Sequence, residues 1–172
     1  MVEDNSYFSG PAITPVRWKK DSNIADIIEA LGKTCFEATK VAYAARLLQY
    51  MINNNDTIWL GISGAGPAGG MGGYIIDLIE NGFVDVICST GAQVYHDGHF
   101  GFGLPVKQGS PHVDDNALDE AGVTRIYDIY ICQRGTLERQ DEIICEFIRT
   151  LPPKLSKERS SAEWCYEWGK YI

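Results

Sequence analysis

A cluster of glycines at residues 64–73 is the part of this sequence best suited to binding chemistry. Its first six residues, Gly-Ala-Gly-Pro-Ala-Gly, have the G-x-G-x-x-G spacing, and they follow a short apolar run, 57–62, that predicts a strand. Between a strand and a helix, such glycines permit a tight turn and bring backbone amides close to a pyrophosphate. The match is imperfect, because Pro67 removes one amide. The acidic residue expected about 20 positions further on could only be Asp85, which lies inside the next predicted strand and not at its carboxyl end. A nucleotide-binding loop and a turn that packs a helix close to a sheet both remain open.

A second polar loop comes directly after the next predicted strand, 83–88. Residues 89–92, Ser-Thr-Gly-Ala, offer two hydroxyl groups and a close backbone approach, and the nearby Asp97 could accept hydrogen bonds from ribose hydroxyls. Ligands of open α/β sheets bind beyond the carboxyl ends of the strands. We therefore expect this loop to lie beside the glycine cluster. The alternative is an ordinary strand-to-helix loop with an aspartate cap.

The periodicity around these loops predicts helices and strands that alternate. One helix follows Asp21 or Ser22 as its cap and stops at Gly32, and another ends at the asparagines 53–55. A third helix follows the glycine cluster and ends at residues 81–82. Two strands joined by this helix make a βαβ unit, which implies a parallel, helix-covered sheet with a right-handed crossover.

The rest of the chain is less regular. Residues 95–122 predict irregular structure, 125–131 a third strand, and 137–151 an amphipathic helix ended by two prolines. The pattern Ser-Ser-Ala-Glu at 160–163 is a capping box that opens a last helix. Residues 1–21 predict an extended lead-in, and 22–172 predict a single α/β domain.

The composition restricts the class of protein. The chain has 172 residues, 45% of them hydrophobic, which suffices for one sizeable core. Its net charge of −8 argues against nucleic acid as a partner and is compatible with a cationic substrate. No apolar stretch approaches the ~20 residues that span a bilayer, and the start lacks the features of a signal peptide. The sequence therefore predicts a cytoplasmic protein without membrane contact.

The cysteines and histidines predict neither disulfides nor a metal site. The five cysteines are odd in number and form no CxxC pair, which favours free, mostly buried thiols: Cys35, Cys88, Cys132, Cys145 and Cys165. The three histidines, His96, His99 and His112, have no zinc-ligand spacing, so we expect no metal. Asp114 is expected to cap a helix, and the aromatic run at residues 164–168 to form a helix face that awaits a partner surface.

The two loops and their surroundings resemble the deoxyhypusine synthase family. The resemblance spans about residues 12–172, and its most specific part is S-T-G-A-x-x-x-H-D at 89–97; the segments 122–128 and 160–170 also match. It implies a Rossmann-like parallel sheet with helices on both faces, of which this chain is the incomplete, amino-terminal half. It also implies an oligomer with active sites between subunits.

The family resemblance further implies a reaction and its partners. Its enzymes use NAD to oxidise spermidine and pass the aminobutyl group through an enzyme lysine imine, usually to a lysine of the hypusine-bearing translation factor. The residues at 95–105 look nearer to bacterial and cyanobacterial relatives, some of which make homospermidine or related polyamines. The acceptor thus stays open between a protein lysine and a small amine.

The resemblance assigns cofactor-binding residues to both loops. The family's first dinucleotide loop, which usually reads T-S-N-L-x-S-S-G, corresponds to residues 63–70, where backbone contacts are expected. The second loop is retained; His96 stands where some members place a ribose-binding glutamate, and Asp97 is kept. The expected NAD-binding residues are Ser63, Gly64, Ala65, Ala68, Ser89, Thr90, Gly91, Ala92, His96 and Asp97.

No catalytic residue is expected within this chain. The resemblance places the G-G-x-x-K lysine, the spermidine-binding acidic residues and tryptophan, and the catalytic histidine in a further segment about as long again. No lysine here occupies such a motif: Lys19, Lys20, Lys33, Lys40, Lys107, Lys154, Lys157 or Lys170. We expect the chain to be inert alone and completed by a carboxyl-terminal-half or full-length partner. The alternatives are a non-catalytic regulatory partner of a full-length paralogue and a stand-alone nucleotide-binding module.

Overall fold

The structure is a computed structural model that describes residues 6–152 and 159–172. The chain divides into two compact units, one up to Ile58 and one from Trp59. The described residues have a mixed α/β fold with a small parallel sheet. None of their helices has the length and apolar character needed to cross a bilayer.

The first unit contains a pair of helices, α1 (Ile24–Leu31) and α2 (Glu37–Asn53). Asn23, rather than the predicted Asp21 or Ser22, caps α1, because Asp26 stands three residues later. The Asn23 side chain accepts from the Asp26 amide (2.9 Å), and the Asp26 carboxylate accepts from the Asn23 amide (3.0 Å). Gly32 ends α1 as predicted, and Arg46 of α2 forms a two-bond ion pair with Glu29 of α1.

The second unit begins with the predicted βαβ unit. Strand β1 (Trp59–Ile62) pairs in parallel with β2 (Val86–Ser89), and α3 (Gly72–Glu80) connects them. Leu60 lies opposite Ile87, and α3 ends at the predicted stop, where Gly82 has a φ of +68°. The strands start two to three residues later than the apolar runs 57–62 and 83–88 suggested.

A three-stranded antiparallel sheet follows, which corrects two predictions. Its strands β3 (Val106–Gln108), β4 (Val123–Ile126) and β5 (Ile129–Cys132) have the order β3-β5-β4. The predicted single strand 125–131 is wrong, because a turn at Tyr127 and Asp128 divides it. Tyr127 takes a φ of +55°, where glycine is usual, so the sequence carries no turn signal.

The region expected to be irregular, 95–122, also contains regular structure. A short helix, α4 (Gly91–Tyr95), ends at the first residue of this region. Besides β3, the region contains a six-residue helix, α5 (Asp115–Glu120). Asp114 caps α5 as predicted, since its carboxylate accepts from the Asn116 amide at 2.9 Å. Elements this short leave too few residues for a period to show in the sequence.

Two amphipathic helices close the chain, α6 (Arg139–Thr150) and α7 (Ser161–Tyr171). A wide helical turn precedes α6, and the predicted capping box of Ser160 and Glu163 opens α7. The second proline predicted to end α6, Pro153, lies outside the described residues. Trp168 of α7 packs edge-on against the buried Phe147 of α6, with ring centroids 4.5 Å apart. This part of the aromatic face is therefore covered by its own chain.

The parallel pair of strands has little cover. Trp59 of β1 is 68% exposed and Ile87 of β2 is also exposed. All five cysteines are exposed, so the prediction of mostly buried thiols is wrong. Cys88, for example, lies on β2, which has no third strand beside it among the described residues. Parallel sheets are normally covered on both faces, so the described fold is only part of such an arrangement.

Candidate functional site

The glycine cluster forms a tight connection between β1 and α3. Gly64 and Gly70 have φ values of +82° and +99°, and an added Cβ at either would meet open space. The backbone conformation, not crowding, therefore requires glycine at both positions. The stretch Pro67–Met71 forms a wide helical turn, whose Met71 amide donates to the Gly66 carbonyl five residues earlier at 3.1 Å. Residues 63–71 are called the glycine loop below.

The second predicted loop lies beside the glycine loop, as expected. Residues 89–92, the hydroxyl loop, run from the end of β2 into α4. The Ser89 hydroxyl lies 3.1 Å from the carbonyl oxygen of Ile62, the last residue of β1. The parallel pairing therefore brings both loops to the same edge of the sheet.

Gln93 joins the two loops and is the main site residue that the sequence reasoning missed. Its side-chain nitrogen Nε2 donates to the Gly64 carbonyl at 2.6 Å. Its oxygen Oε1 accepts from the Ser89 hydroxyl (2.9 Å) and from the Thr90 hydroxyl (2.6 Å). The available signal was the spacing Thr-x-x-Gln at 90–93, which is a capping-box pattern at a helix start.

His96 and Asp97 form a close pair after α4. The imidazole Nδ1 lies 2.7 Å from Asp97 Oδ1, with side-chain exposures of 20% and 10%. The other carboxylate oxygen, Asp97 Oδ2, is buried and has no hydrogen-bond partner among the described residues. Such an acceptor is unusual in a folded protein and suits a donor from outside the described structure.

A second histidine lies deeper in the same segment. His99 is 1% exposed, and its Nε2 has no partner within residues 6–152 and 159–172. Burial lowers the pKa of His99 from its usual range, although a hydrogen bond with the His96 backbone and the charge of Asp97 act in the opposite direction. Burial therefore favours the neutral form of the His99 imidazole. The described residues hold no group of three metal-binding side chains.

Two cavities flank the glycine loop. The first, about 800 Å³, has largely apolar walls from α3, α6 and α7, and Gln93 and Asp97 lie in its lining. The second, about 600 Å³, lies between the glycine loop and the antiparallel sheet, with Ala65 and Ala68 on one side and Lys107 on the other. Both cavities share Gly70 and Phe100.

The ten predicted cofactor-binding residues thus do not share one cavity. Asp97 lines the first cavity, and Ala65 and Ala68 line the second. The other seven line neither of these two cavities and lie on the two adjoining loops or directly after α4: Ser63, Gly64, Ser89, Thr90, Gly91, Ala92 and His96.

The groups at this edge fit the parts of a dinucleotide. The unpartnered oxygen of Asp97 matches a ribose hydroxyl donor. The glycine loop stands before α3, where backbone amides favour an anion such as a pyrophosphate. The exposed side chains of Ser89 and Thr90 add polar groups beside it.

Of the described lysines, two form ion pairs and one lines a cavity. Lys40 and Lys170 pair with Glu37 and Glu167 one helical turn away. Lys107 lines the second cavity but is exposed. The predictions for Lys154 and Lys157 concern residues outside the described ranges.

Comparison with known proteins identifies the family. The sequence profile described as deoxyhypusine synthase matches residues 26–172. A deoxyhypusine synthase-like protein of Nostoc sp. is 34% identical over 95% of this chain and 42% of its own length. A similar protein of Chlorobaculum tepidum is 33% identical over 87% of this chain and 42% of its own length.

An archaeal relative agrees with these two. The probable deoxyhypusine synthase 1 of Archaeoglobus fulgidus is 28% identical over 93% of this chain and 52% of its own length. The chain therefore spans about half the length, or somewhat less, of the curated relatives that it matches. With a profile match that covers most of its residues, the chain belongs to the deoxyhypusine synthase family.

Proposed function

We propose that this chain is the NAD-binding half of a deoxyhypusine synthase-type aminobutyl transferase. The complete enzyme would oxidise spermidine with NAD and transfer the aminobutyl group to a lysine of the hypusine-bearing translation factor. The observation that carries the proposal is the meeting of the glycine loop and the hydroxyl loop at the carboxyl ends of two parallel strands. Family membership supplies the reaction class.

Six of the ten predicted residues have a specific binding role in this proposal. Backbone groups of Ser63, Gly64, Ala65 and Ala68 hold the pyrophosphate region, where α3 begins. Asp97 accepts from a ribose hydroxyl, and His96 orients the Asp97 carboxylate through the 2.7 Å contact. NAD, when bound, supplies a hydride acceptor for the oxidation of the amine.

A partner is part of the proposal. The curated relatives are about twice as long, and no lysine here stands in a G-G-x-x-K motif. We therefore infer that the lysine-bearing half, on a partner chain or a further segment, completes the active site and a Rossmann-like sheet. The exposed apolar residues of β1 and β2 support this, because soluble proteins seldom leave such surfaces open.

A small amine is the second candidate acceptor. His96 stands where the resemblance places a glutamate in some members. In addition, 95% of this chain matches a deoxyhypusine synthase-like protein of a cyanobacterium, Nostoc sp.. A component of a homospermidine synthase-like enzyme would use the same NAD site. A regulatory partner of a full-length paralogue would retain the fold without requiring the Asp97 contact.

Equilibrium binding of NAD to the completed enzyme tests the proposal. Asp97→Ala should weaken NAD binding by about tenfold or more, because it removes a charged hydrogen-bond acceptor. Asp77→Ala is the matched control, since Asp77 is an exposed carboxylate on α3 and should leave the affinity unchanged. Equal affinities for both variants and the parent would remove the basis for the proposed site.

A further inference from the structure

The side chain of Gln93 is the only described side chain that bonds to both loops. It reaches 29 residues back along the chain to the Gly64 carbonyl, and it also contacts both hydroxyl groups and the amide of the hydroxyl loop. Gln93 itself is half-buried, whereas its partners Gly64, Ser89 and Thr90 are exposed. One amide group therefore links the two loops directly, beyond the strand pairing that brings Ile62 and Ser89 together.

The orientation of this amide is fixed by its partners. The Gly64 carbonyl can only accept, so the nitrogen of Gln93 must face it. The Thr90 backbone amide can only donate, and it lies 3.3 Å from Oε1. A flipped amide would place acceptor against acceptor at Gly64 and donor against donor at Thr90.

This orientation determines what the hydroxyl groups of Ser89 and Thr90 offer to a ligand. Each hydroxyl has a single hydrogen. Thr90 directs it to Gln93 Oε1, and Ser89 has only acceptors beside it, Gln93 Oε1 and the Ile62 carbonyl. Both hydroxyls therefore present lone pairs outward, and lone pairs accept hydrogen bonds from ligand donors but repel phosphate oxygens.

We propose that Gln93 is a positioning residue that fixes the spacing of the two loops and makes the hydroxyl loop an acceptor surface. This surface would take the hydroxyl- or amine-bearing part of a nucleotide, whereas the glycine loop would take the phosphates. The assignment of ligand parts rests on the proposed NAD site; the coupling of the loops does not.

Two substitutions separate coupling from helix capping. Gln93→Glu keeps the oxygen that accepts from Ser89 and Thr90 but cannot donate to Gly64. Gln93→Ala removes both functions. Gln49→Glu, an exposed position on α2 in the other unit, controls for the added charge. Two quantities are measured for each variant of the full chain. They are the NMR chemical shift of the Gly64 carbonyl carbon and the midpoint temperature of thermal unfolding.

We expect Gln93→Glu to shift the Gly64 carbonyl signal as far as Gln93→Ala does, while its thermal midpoint falls less. Gln49→Glu should leave the signal in place. An unchanged Gly64 signal in Gln93→Glu would show that Gln93 only caps α4, and would overturn the coupling.

Two simple probes test which part of a nucleotide binds to which loop. Adenosine should perturb the amides of the hydroxyl loop and inorganic pyrophosphate those of the glycine loop. Gln93→Ala, which removes the oxygen that accepts from Ser89 and Thr90, should weaken adenosine binding by about tenfold. Pyrophosphate binding at Ser89 and Thr90 would overturn the acceptor assignment. If neither probe nor NAD perturbs either loop while the Gly64 signal responds to Gln93→Glu, the proposed function fails and the coupling stands.

Discussion

Single buried polar residues carry most of the information at this site. Asp97 and His99 each have a buried polar atom without a hydrogen-bond partner among the described residues. In the Gln93 side chain, by contrast, both the oxygen and the nitrogen are hydrogen-bonded. The sequence indicated Asp97 through its place in the loop and the family resemblance. It could not indicate the burial of His99, because a histidine in a glycine-rich segment shows no apolar period around it.

His99 gives the protein a pH-dependent stability. Its pKa in the folded protein is lowered by burial, below the ordinary value of 6.5, so the unfolded chain binds a proton more readily between these two values. The free energy of unfolding should therefore fall as the pH drops below about 6.5, by at most about 1.4 kcal/mol per pH unit from this group.

Urea unfolding at a series of pH values checks this expectation. His99→Gln should reduce the slope of stability against pH in the weakly acidic range, whatever its effect on stability at neutral pH. His112→Gln, at an exposed loop histidine, is the control and should keep the slope of the parent. The same slope in all three proteins would show that His99 is not buried and neutral.

At the scale of elements, strong periodicity and glycine punctuation made the βαβ unit predictable, while short strands did not show. The run Ile-Tyr-Asp-Ile-Tyr-Ile from 126 looks like one strand, and only the conformation of Tyr127 reveals the hairpin. Strand β3 has three residues, Val-Lys-Gln, too few to alternate. The positions of the glycine loop and the hydroxyl loop were predictable because these loops follow the strands whose apolar runs were clear.

A glycine substitution at Tyr127 should raise the free energy of unfolding, whereas glycine substitutions usually lower it. Tyr127 is 68% exposed and has a φ of +55°, so Tyr127→Gly should relieve backbone strain with little loss of contact. We expect a stabilisation of about 0.5 to 1 kcal/mol. Tyr74→Gly, at a 70% exposed tyrosine within α3, should instead cost about 1 kcal/mol. Chemical denaturation measures both, and a loss of stability in Tyr127→Gly would contradict the assigned hairpin.

For the molecule as a whole, the open faces of β1 and β2 are the dominant feature. Exposed Trp59 and Ile87 mark a parallel sheet of two strands, whereas sheets of this kind are stable when helices or further strands cover them. Sequence patterns predicted the strands themselves but not their number. The number of strands depends on pairing between segments that are distant along the chain, which local periodicity does not show.

Catalysis by the isolated chain is a direct test at this scale. With spermidine and NAD, the pure 172-residue chain should release no 1,3-diaminopropane, because none of its lysines lies in the G-G-x-x-K motif that the family uses for the imine. A full-length relative serves as the positive control. Turnover by the pure chain that disappears when one of its own lysines is replaced would contradict the proposal that the catalytic lysine lies on a partner chain or a further segment.

NMR mapping of NAD binding on the isotope-labelled chain tests whether the glycine loop and the hydroxyl loop together bind NAD. The method detects weak binding, so it does not require the completed active site. We expect saturable shifts at residues 63–71 and 89–97, which Asp97→Ala weakens and Asp77→Ala leaves unchanged. Saturable shifts confined to other parts of the chain, or none at high NAD concentration, would contradict it.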